Sequence, residues 1–536
     1  MSCVIIAGSW VISNVELSAG GVEDKIAAMV ATSGNGDGSS DPQTALDAAV
    51  VIPRLYQQRD YRPAWFGTGA VEELFQALND GIAQGFQPTD FHLPQLLDMH
   101  EAAKSGGDED IAAFDVLASD AATKLASYLF FGKVDPGALD SGWNFDKPVI
   151  KSDPATVINQ YLNGDGFSAL IERITIHNAQ YQQLVDALAQ YHKIVFAGGW
   201  PKVPDGETIK PGSIGPEIAL LRERLAGEGV LNEGQILPAV EDNETNPAWV
   251  YDAHLQVDVE AFQTRHGLAA DGVIGPKTFV NLNRTAQERV DQLRLSLERG
   301  RWLMRDLDEE FVLVNIAGAR TYMVLSDGSV WTTRSITGSQ YRKTPVFRDN
   351  IKYMEFNPTW TVPNSILRKD KLARIRKDSG YLSRNGYSVR DRNGSEISAS
   401  AVNWSSSNPA VTLVQRPGPN NALGLVKFMF PNAHAVYLHD TNDHSLFDRN
   451  ERNLSSGCVR LEQPFEFASL LMEGAPGWSA EKMQSILKSG KTTRVDLPEP
   501  MPVLLTYWTA WVEEGEVHFR EDIYERDGPI LAALNR

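Results

Sequence analysis

Ala435-Val436-Tyr437-Leu438-His439-Asp440-Thr441 is followed, after a short spacer, by Leu454-Ser455-Ser456-Gly457-Cys458-Val459-Arg460. The first segment has the alternation of a strand. It predicts Tyr437 and His439 on one face and Val436 and Leu438 on the other. The second is a small-residue turn in which backbone N–H groups can point outward. Thiolate chemistry needs a nucleophile, a base within hydrogen-bond reach and N–H donors for a developing oxyanion. A neighbouring cation such as Arg460 favours the thiolate. On residue type alone, Cys458 between Gly and Val reads more readily as a small buried hydrophobe, and His439 more readily as a hydrogen-bonded strand end than as a base. A metal set of His434, His439, His444 and Cys458 is disfavoured, because alternation sends His434 away from His439 and there is no HExxH pattern.

Outward from this pair, short β-rich runs cover Phe311–Ile316, Thr321–Leu325 and Val330–Ile336, with Asp327-Gly328 between the last two. The β-region runs to about residue 350, resumes near 410 and ends with Val503–Trp511 and Glu516–Phe519. Residues 365–408 interrupt it as a polar, charge-dense insertion without clear strands, the kind that serves as a lid or substrate loop.

Upstream the chain reads as helical to about residue 200. Leu117, Ala121, Leu125 and Leu129 recur every four residues, and Tyr181, Leu184, Leu188 and Tyr191 at helical spacing. Gly198-Gly199-Trp200-Pro201 breaks the chain. Between 211 and 285, Ile218, Leu221 and Leu225 mark one amphipathic helix, and Leu255, Val259, Phe262 and His266 a second, stopped by Gly267. The tight loop Asp271-Gly272-Val273-Ile274-Gly275 delivers Pro276 to the start of a third. A long insertion, 227–251, separates the halves of this module. A connecting helix follows, with Ala286, Val290, Leu293 and Leu297 on one face.

Composition bounds the function. With 536 residues, 42% of them hydrophobic and 12 Trp, several cored domains are expected. A net charge of −19 and no basic patch of useful length argue against nucleic acid as a partner. Cys3 and Cys458 are too few for a disulfide framework or a Cys-rich zinc module. Residues 1–43 read as a leader with a Gly/Ser-rich linker at 31–43: the start is mildly apolar, lacks a basic n-region before Lys25, and is too short to span a bilayer.

The spacing from His439 to Ser455-Ser456-Gly457-Cys458-Val459-Arg460 resembles the active-site signature of L,D-transpeptidases of the YkuD-type fold. Asn357-Pro358-Thr359-Trp360-Thr361-Val362-Pro363-Asn364-Ser365-Ile366, Pro417-Gly418-Pro419-Asn420-Asn421-Ala422-Leu423-Gly424 and Val426-Lys427-Phe428-Met429-Phe430-Pro431-Asn432 resemble the large Gram-negative periplasmic, YcbB-like branch. Phe262 to Leu268, Asp271 to Thr278 and Leu282-Asn283 are similar to a three-helix peptidoglycan-binding domain. The chain departs from many members in carrying Ser456 where they have His and Arg460 where they have Asn.

The resemblance implies a multidomain α + β protein. A leader at 1–43 and a helical scaffold at 44–205 precede a peptidoglycan-binding-like module at 206–285. A connecting helix at 286–309 then leads to a mostly-β YkuD-type catalytic domain at 310–536, with 365–408 as a capping-loop insertion. It implies a cysteine acyltransferase with Cys458 as nucleophile, His439 as base, and the backbone N–H groups of Ser456, Gly457 and Cys458 as oxyanion hole. Arg460, Tyr437, Ser455 and Trp360 would bind substrate or support the site, and no metal or organic cofactor is expected. The expected partners are peptidoglycan stem peptides, donor and acceptor, beside other cell-wall synthesis or remodelling proteins, in the periplasm of a Gram-negative-type envelope. A carbapenem would acylate such a thiol. L,D-carboxypeptidase action, attachment of a protein to the stem, and a non-catalytic binding scaffold remain as alternatives.

Overall fold

The computed structural model describes residues 21–33, 46–139, 143–144, 150–230, 246–305 and 307–536. Cys3, most of the leader and linker, and residues 231–245 of the 227–251 insertion lie outside them. The chain divides into two compact units, residues 1–133 with 147–175, and 134–146 with 176–536. Among the described residues no helix is long and apolar enough to cross a membrane.

The first unit is all helix. Its longest helix, Asp108–Phe131, buries Ala121, Leu125 and Leu129 as the spacing predicts. Buried Asp115 accepts hydrogen bonds from the amides of Ala64, Trp65 and Phe66 and from the Tyr56 hydroxyl at 2.6–2.9 Å. A buried carboxylate needs partners of this number. A first helix, Val22–Ser33, takes in Ala31–Ser33, which were expected to begin the linker.

The second unit starts earlier than the expected boundary near residue 205. The helix Ala179–Phe196 packs Tyr181, Leu184, Leu188 and Tyr191 into the same core as the catalytic sheet, beside Val290, Leu293 and Leu297 of the helix Ala286–Leu303. That second helix is no one-sided connector. Arg289, Arg294, Glu298, Arg299 and Arg301 are buried on its other faces, with ion pairs Arg301–Glu298 and Arg299–Asp527, both at 2.7 Å. Period analysis finds the apolar stripe but not the partners that let the charged faces be buried.

The expected three helices of the middle module are Pro216–Gly227, Ala253–Arg265 and Pro276–Leu282, with Phe262 in a core of Ile218, Leu221, Leu225, Leu255, Val259 and Leu282.

The strands are β1 (Trp143–Asn144), β2 (Phe311–Asn315), β3 (Arg320–Val324), β4 (Val330–Gly338), β5 (Val346–Phe356), β6 (Trp360–Thr361), β7 (Tyr387–Arg390), β8 (Glu396–Ile397), β9 (Thr412–Gln415), β10 (Val426–Met429), β11 (Leu438–His439), β12 (Asn453–Ser455), β13 (Val459–Leu461), β14 (Thr493–Thr506), β15 (Ala510–Glu513) and β16 (Glu516–Phe519). The main sheet runs β1-β5-β10-β11-β13-β4-β3-β2-β14, and β14 pairs back onto β5, so the strands from β5 to β14 close on themselves. Strand β14 begins ten residues before the expected Val503. Two of its three prolines, Pro498 and Pro500, fall where its register against β5 shifts, between Asp496 and Met501, while Pro502 sits opposite Asn350. A proline has no N–H to give a ladder, and that hides the strand from pattern reading.

The 365–408 insertion is not strandless. Strands β7 and β8 lie inside it and join β6 and β9 in a second sheet, β6-β9-β7-β8. This lobe has its own core of Trp360, Val362, Leu367, Leu372, Ile375, Leu382, Tyr387, Val389 and Leu413. Strands of four and two residues are too short for a period-2 signal to rise above the surrounding charges.

Candidate active site

Parallel pairing of β11 with β13 sets Leu438 beside Val459 and His439 beside Arg460, and the Val459 amide donates to the Tyr437 carbonyl at 3.1 Å. Paired residues share a face, so Tyr437, His439, Cys458 and Arg460 fall on one side of the sheet, with Leu438 and Val459 fully buried on the other. On its other edge β11 pairs with β10, setting Lys427 beside His439, while Lys427 in turn faces Glu355 with a 3.1 Å ion pair. The row across the sheet is Glu355, Lys427, His439, Arg460.

The Cys458 turn is held by its own side chains. Ser455 Oγ accepts from the Gly457 amide at 3.0 Å and donates to the Cys458 carbonyl at 2.5 Å. Gly457 has φ +119°, which only glycine adopts readily; a Cβ there would have room, its nearest contact being 3.8 Å from the Lys343 carbonyl, so the backbone is what demands glycine. Of the three expected oxyanion donors, Gly457 N–H is therefore engaged within the turn. The amides of Ser456 and Cys458 have no hydrogen-bond partner among the described residues.

Cys458 is half-buried, and its Sγ donates to the Ala435 carbonyl at 3.8 Å. Burial pushes its pKa up, opposed by the Tyr437 amide and hydroxyl and by Arg460. Tyr437 is raised too, by burial and then by the thiol it faces; the Trp360 side chain opposes this. The Tyr437 and His439 rings meet edge-on at 5.5 Å. Trp360 itself belongs to the core of the lobe, with the Lys371 ammonium 5.5 Å from its ring.

His439 is buried. Its Nδ1 lies 2.5 Å from the Asp440 carbonyl oxygen, an acceptor only, which fixes the neutral ring's proton on Nδ1 and leaves the lone pair on Nε2. Burial, then the Arg460 charge, pulls its pKa down to about 3, against the opposing Asp440 and Leu423 carbonyls. The resting pair is a neutral imidazole and a thiol. Arg460 has a buried Nε with no hydrogen-bond partner among the described residues, and burial lowers its pKa. It is a cation beside the thiol, and the Asp443 carboxylate and the Cys458 thiol both favour its charge.

Several residues that hold the site were not singled out from sequence. Asp440 is buried; its carboxylate accepts from the amides of Leu425 (2.8 Å) and Thr441 (2.7 Å), and His444 Nε2 lies 2.9 Å from it. The strand end carrying His439 is thereby pinned. Arg342 and Thr344, in the loop after β4, contact Ser456 and the Gly457 carbonyl, and the Tyr524 hydroxyl accepts from the Thr344 amide at 3.1 Å. The only local signal was the position of Asp440 directly after His439.

Residues 309–478 match the model of the L,D-transpeptidase catalytic domain, YkuD. The chain carries a YkuD-type L,D-transpeptidase domain. Residues 215–282 match the model described as "Putative peptidoglycan binding domain", and residues 51–188 the one described as Scaffold domain. A curated protein of Haemophilus influenzae, named "Putative L,D-transpeptidase", is 34% identical over 226 residues, 42% of this chain. The match spans about half of that relative's length, 46%. Among solved structures, the L,D-transpeptidase of Xylanimonas cellulosilytica (residues 123–326) is 16% identical, with a TM-score of 0.18, over 56% of this chain and 99% of that one. A fused Zn-dependent amidase/peptidase and peptidoglycan-binding protein of Clostridium acetobutylicum is 12% identical at a TM-score of 0.16, over 56% and 100%. At those TM-scores neither superposition bears on this chain.

Proposed function

We propose that this protein is a peptidoglycan L,D-transpeptidase that works through a Cys458 thioester. The observation that carries the reading is the β11–β13 register, which brings His439, Tyr437, Cys458 and Arg460 to one face beside a turn with two free amides. The donor is a tetrapeptide stem whose third residue is a diamino acid of the meso-diaminopimelate kind. Cys458 Sγ attacks the carbonyl of that residue as its proton passes to His439 Nε2. The amides of Ser456 and Cys458 hold the tetrahedral oxyanion; one such donor is worth about 3 kcal/mol in other enzymes. The C–N bond to terminal D-alanine breaks, the leaving amine takes the proton from His439, and a thioester remains. The side-chain amine of a second stem then attacks, regenerating the thiol and forming a 3→3 crosslink. Arg460, whose buried Nε has no hydrogen-bond partner among the described residues, offers its guanidinium to a stem carboxylate.

Peptidoglycan lies outside the cytoplasm, so the protein acts there. The resemblance of residues 357–366 and 417–432 to the large periplasmic branch supports a Gram-negative-type periplasm. The middle module supports placement on the same polymer.

The test compares wild type with Cys458→Ala on purified disaccharide-tetrapeptide, with products read by mass spectrometry. A crosslinked dimer short of one D-alanine, absent in the variant, is the expected result. Tripeptide alone would replace transpeptidation by L,D-carboxypeptidation. No product, together with no carbapenem adduct on Cys458 of the folded chain, would overturn the reading.

A further inference from the structure

The loop between β4 and β5 follows the Cys458 turn residue by residue. The Ser339 amide donates to the Ser455 carbonyl at 3.0 Å, Arg342 Nη1 to Ser456 Oγ at 2.7 Å, and Thr344 Oγ1 to the Gly457 carbonyl at 2.9 Å. Two of these contacts are uncharged and end at the turn. Arg342 goes further: Nη1 and Nη2 grip both carboxylate oxygens of Asp370 at 2.6 and 2.9 Å. Asp370 lies on a π-helical turn, Leu367–Lys371, whose Leu367 is buried in the core of the inserted lobe. Widened turns of this kind recur at functional sites.

We propose that Arg342 is a positioning residue that makes the order of the Cys458 turn depend on the docking of the inserted lobe. The proposal rests on the reading of Cys458 as nucleophile and adds the regulation of that site. Ser456 is exposed, and its amide is one of the two free donors of the turn. The direction of that N–H follows the peptide plane between Ser455 and Ser456, which the Ser339 amide holds through the Ser455 carbonyl, and the Arg342 bond to Ser456 Oγ restrains the same residue through its side chain. One guanidinium therefore reads the position of the lobe at one end and, beside the Ser339 bond, steadies the residue that carries an oxyanion donor at the other. The Arg342 and Asp370 side chains retain 27% and 38% of their exposure, so the pair is partly solvated. Such a pair biases an equilibrium by about 5-fold, weak enough for the lobe to release and redock in each turnover.

The experiment uses the full chain as Asp370→Asn, Arg342→Met and Arg342→Lys, all checked against wild type for unchanged melting. Asp370→Asn is the informative variant, because residue 370 forms its bond to Arg342 and none to the turn. Hydrogen exchange by mass spectrometry should rise at 455–458 as well as at 365–378 in Asp370→Asn. Carbapenem acylation of Cys458 should slow by up to about 5-fold in Asp370→Asn, the bias the pair supplies, and by about 10-fold in Arg342→Met, which also loses the bond to Ser456, since a donor is misaimed rather than lost. Iodoacetamide alkylation of the same thiol, which needs no oxyanion donor, should stay within about 3-fold of wild type. Arg342→Lys should recover part of the acylation rate. Faster exchange confined to the lobe, or acylation at the wild-type rate in Asp370→Asn, would overturn the coupling. Should wild type form no Cys458 adduct, the nucleophile assignment falls, and the exchange at 455–458 in Asp370→Asn still decides for or against the coupling.

Discussion

The charge state of the Cys458–His439 pair can be tested by varying pH. Burial and Arg460 hold His439 near pKa 3, and burial holds the Cys458 thiol above its ordinary value of 9.0. With the thiol above 9, the thiolate fraction at pH 7 is below about 1%, and each unit of pH multiplies it by about ten. Alkylation by iodoacetamide requires the thiolate. Its rate at Cys458 should therefore climb about 100-fold between pH 6 and 8, with slope one on a logarithmic plot and no inflection from His439. A thiolate–imidazolium pair would behave differently: it forms at low pH and gives a flat rate from about pH 5 to 8. The assay is timed alkylation from pH 5 to 9, quenched and digested, with the Cys458 peptide quantified separately from that of Cys3. A plateau below pH 8 would refute the neutral resting pair. In the neutral case His439 must take the thiol proton during attack, so His439→Gln should lower turnover by about 10²- to 10⁴-fold.

Tyr437→Phe keeps the ring against His439 but removes the hydroxyl facing the thiol; carbapenem acylation should fall about 10-fold with melting unchanged. For Arg460→Met, KM for the tetrapeptide stem should rise about 10-fold with kcat less affected, and Arg460→Lys should restore part of it, as steady-state kinetics will show. His439 and His266 are both buried, at about pKa 3 and 4 against 6.5 unfolded, with burial the first cause in each. Lowered histidine values leave the fold most stable above pH 6.5 and weaken it as pH falls; at pH 5 each contributes about 2 kcal/mol of destabilisation, read as a lower denaturant midpoint than at pH 7. Glu228→Gln removes a buried anion from between buried cations and should cost about 3 kcal/mol or more in the same denaturation measurement.

Of the two strands of the site, the one carrying His439 was legible from the alternation of Val436 and Leu438 with Tyr437 and His439, whereas β13, three residues long, was read only as the end of the small-residue turn. Leu438 and Val459 are fully buried, and a one-residue slip would have moved both to the face that carries His439 and Arg460. The module helices were legible for the same reason, down to Pro276 opening the third after Gly275. What escaped the sequence has a common physical character. The bonds from Arg342 to Ser456 and Asp370 join residues 114 and 28 positions apart, and no local period records them. The Gly457 amide looked available as a donor from composition, yet the Ser455 hydroxyl two residues away takes it. Short-range competition by serine for backbone donors is invisible until the turn's dihedrals are known.

The middle module's role depends on how it is joined to the catalytic sheet, and the join is a buried charge cluster. Glu228, fully buried, pairs with Arg224 at 2.8 Å and His266 at 3.3 Å in the module, and accepts from the Tyr191 hydroxyl of the helix Ala179–Phe196 at 3.0 Å. Arg289 of the helix Ala286–Leu303 adds its charge to the cluster, with its guanidinium over the Phe519 ring at 4.5 Å. His266 stacks on the same ring at 5.6 Å, Arg265 Nε donates to the Val517 carbonyl at 3.1 Å, and Arg520 Nη1 returns a bond to the Arg265 carbonyl at 2.9 Å. A flexible tether would leave these groups to water. Parting the module from β16 would break these contacts together and bare the Phe519 ring, so the join is close to all-or-none. On the proposed function, a glycan held on the module would then be presented to the catalytic sheet at a fixed distance.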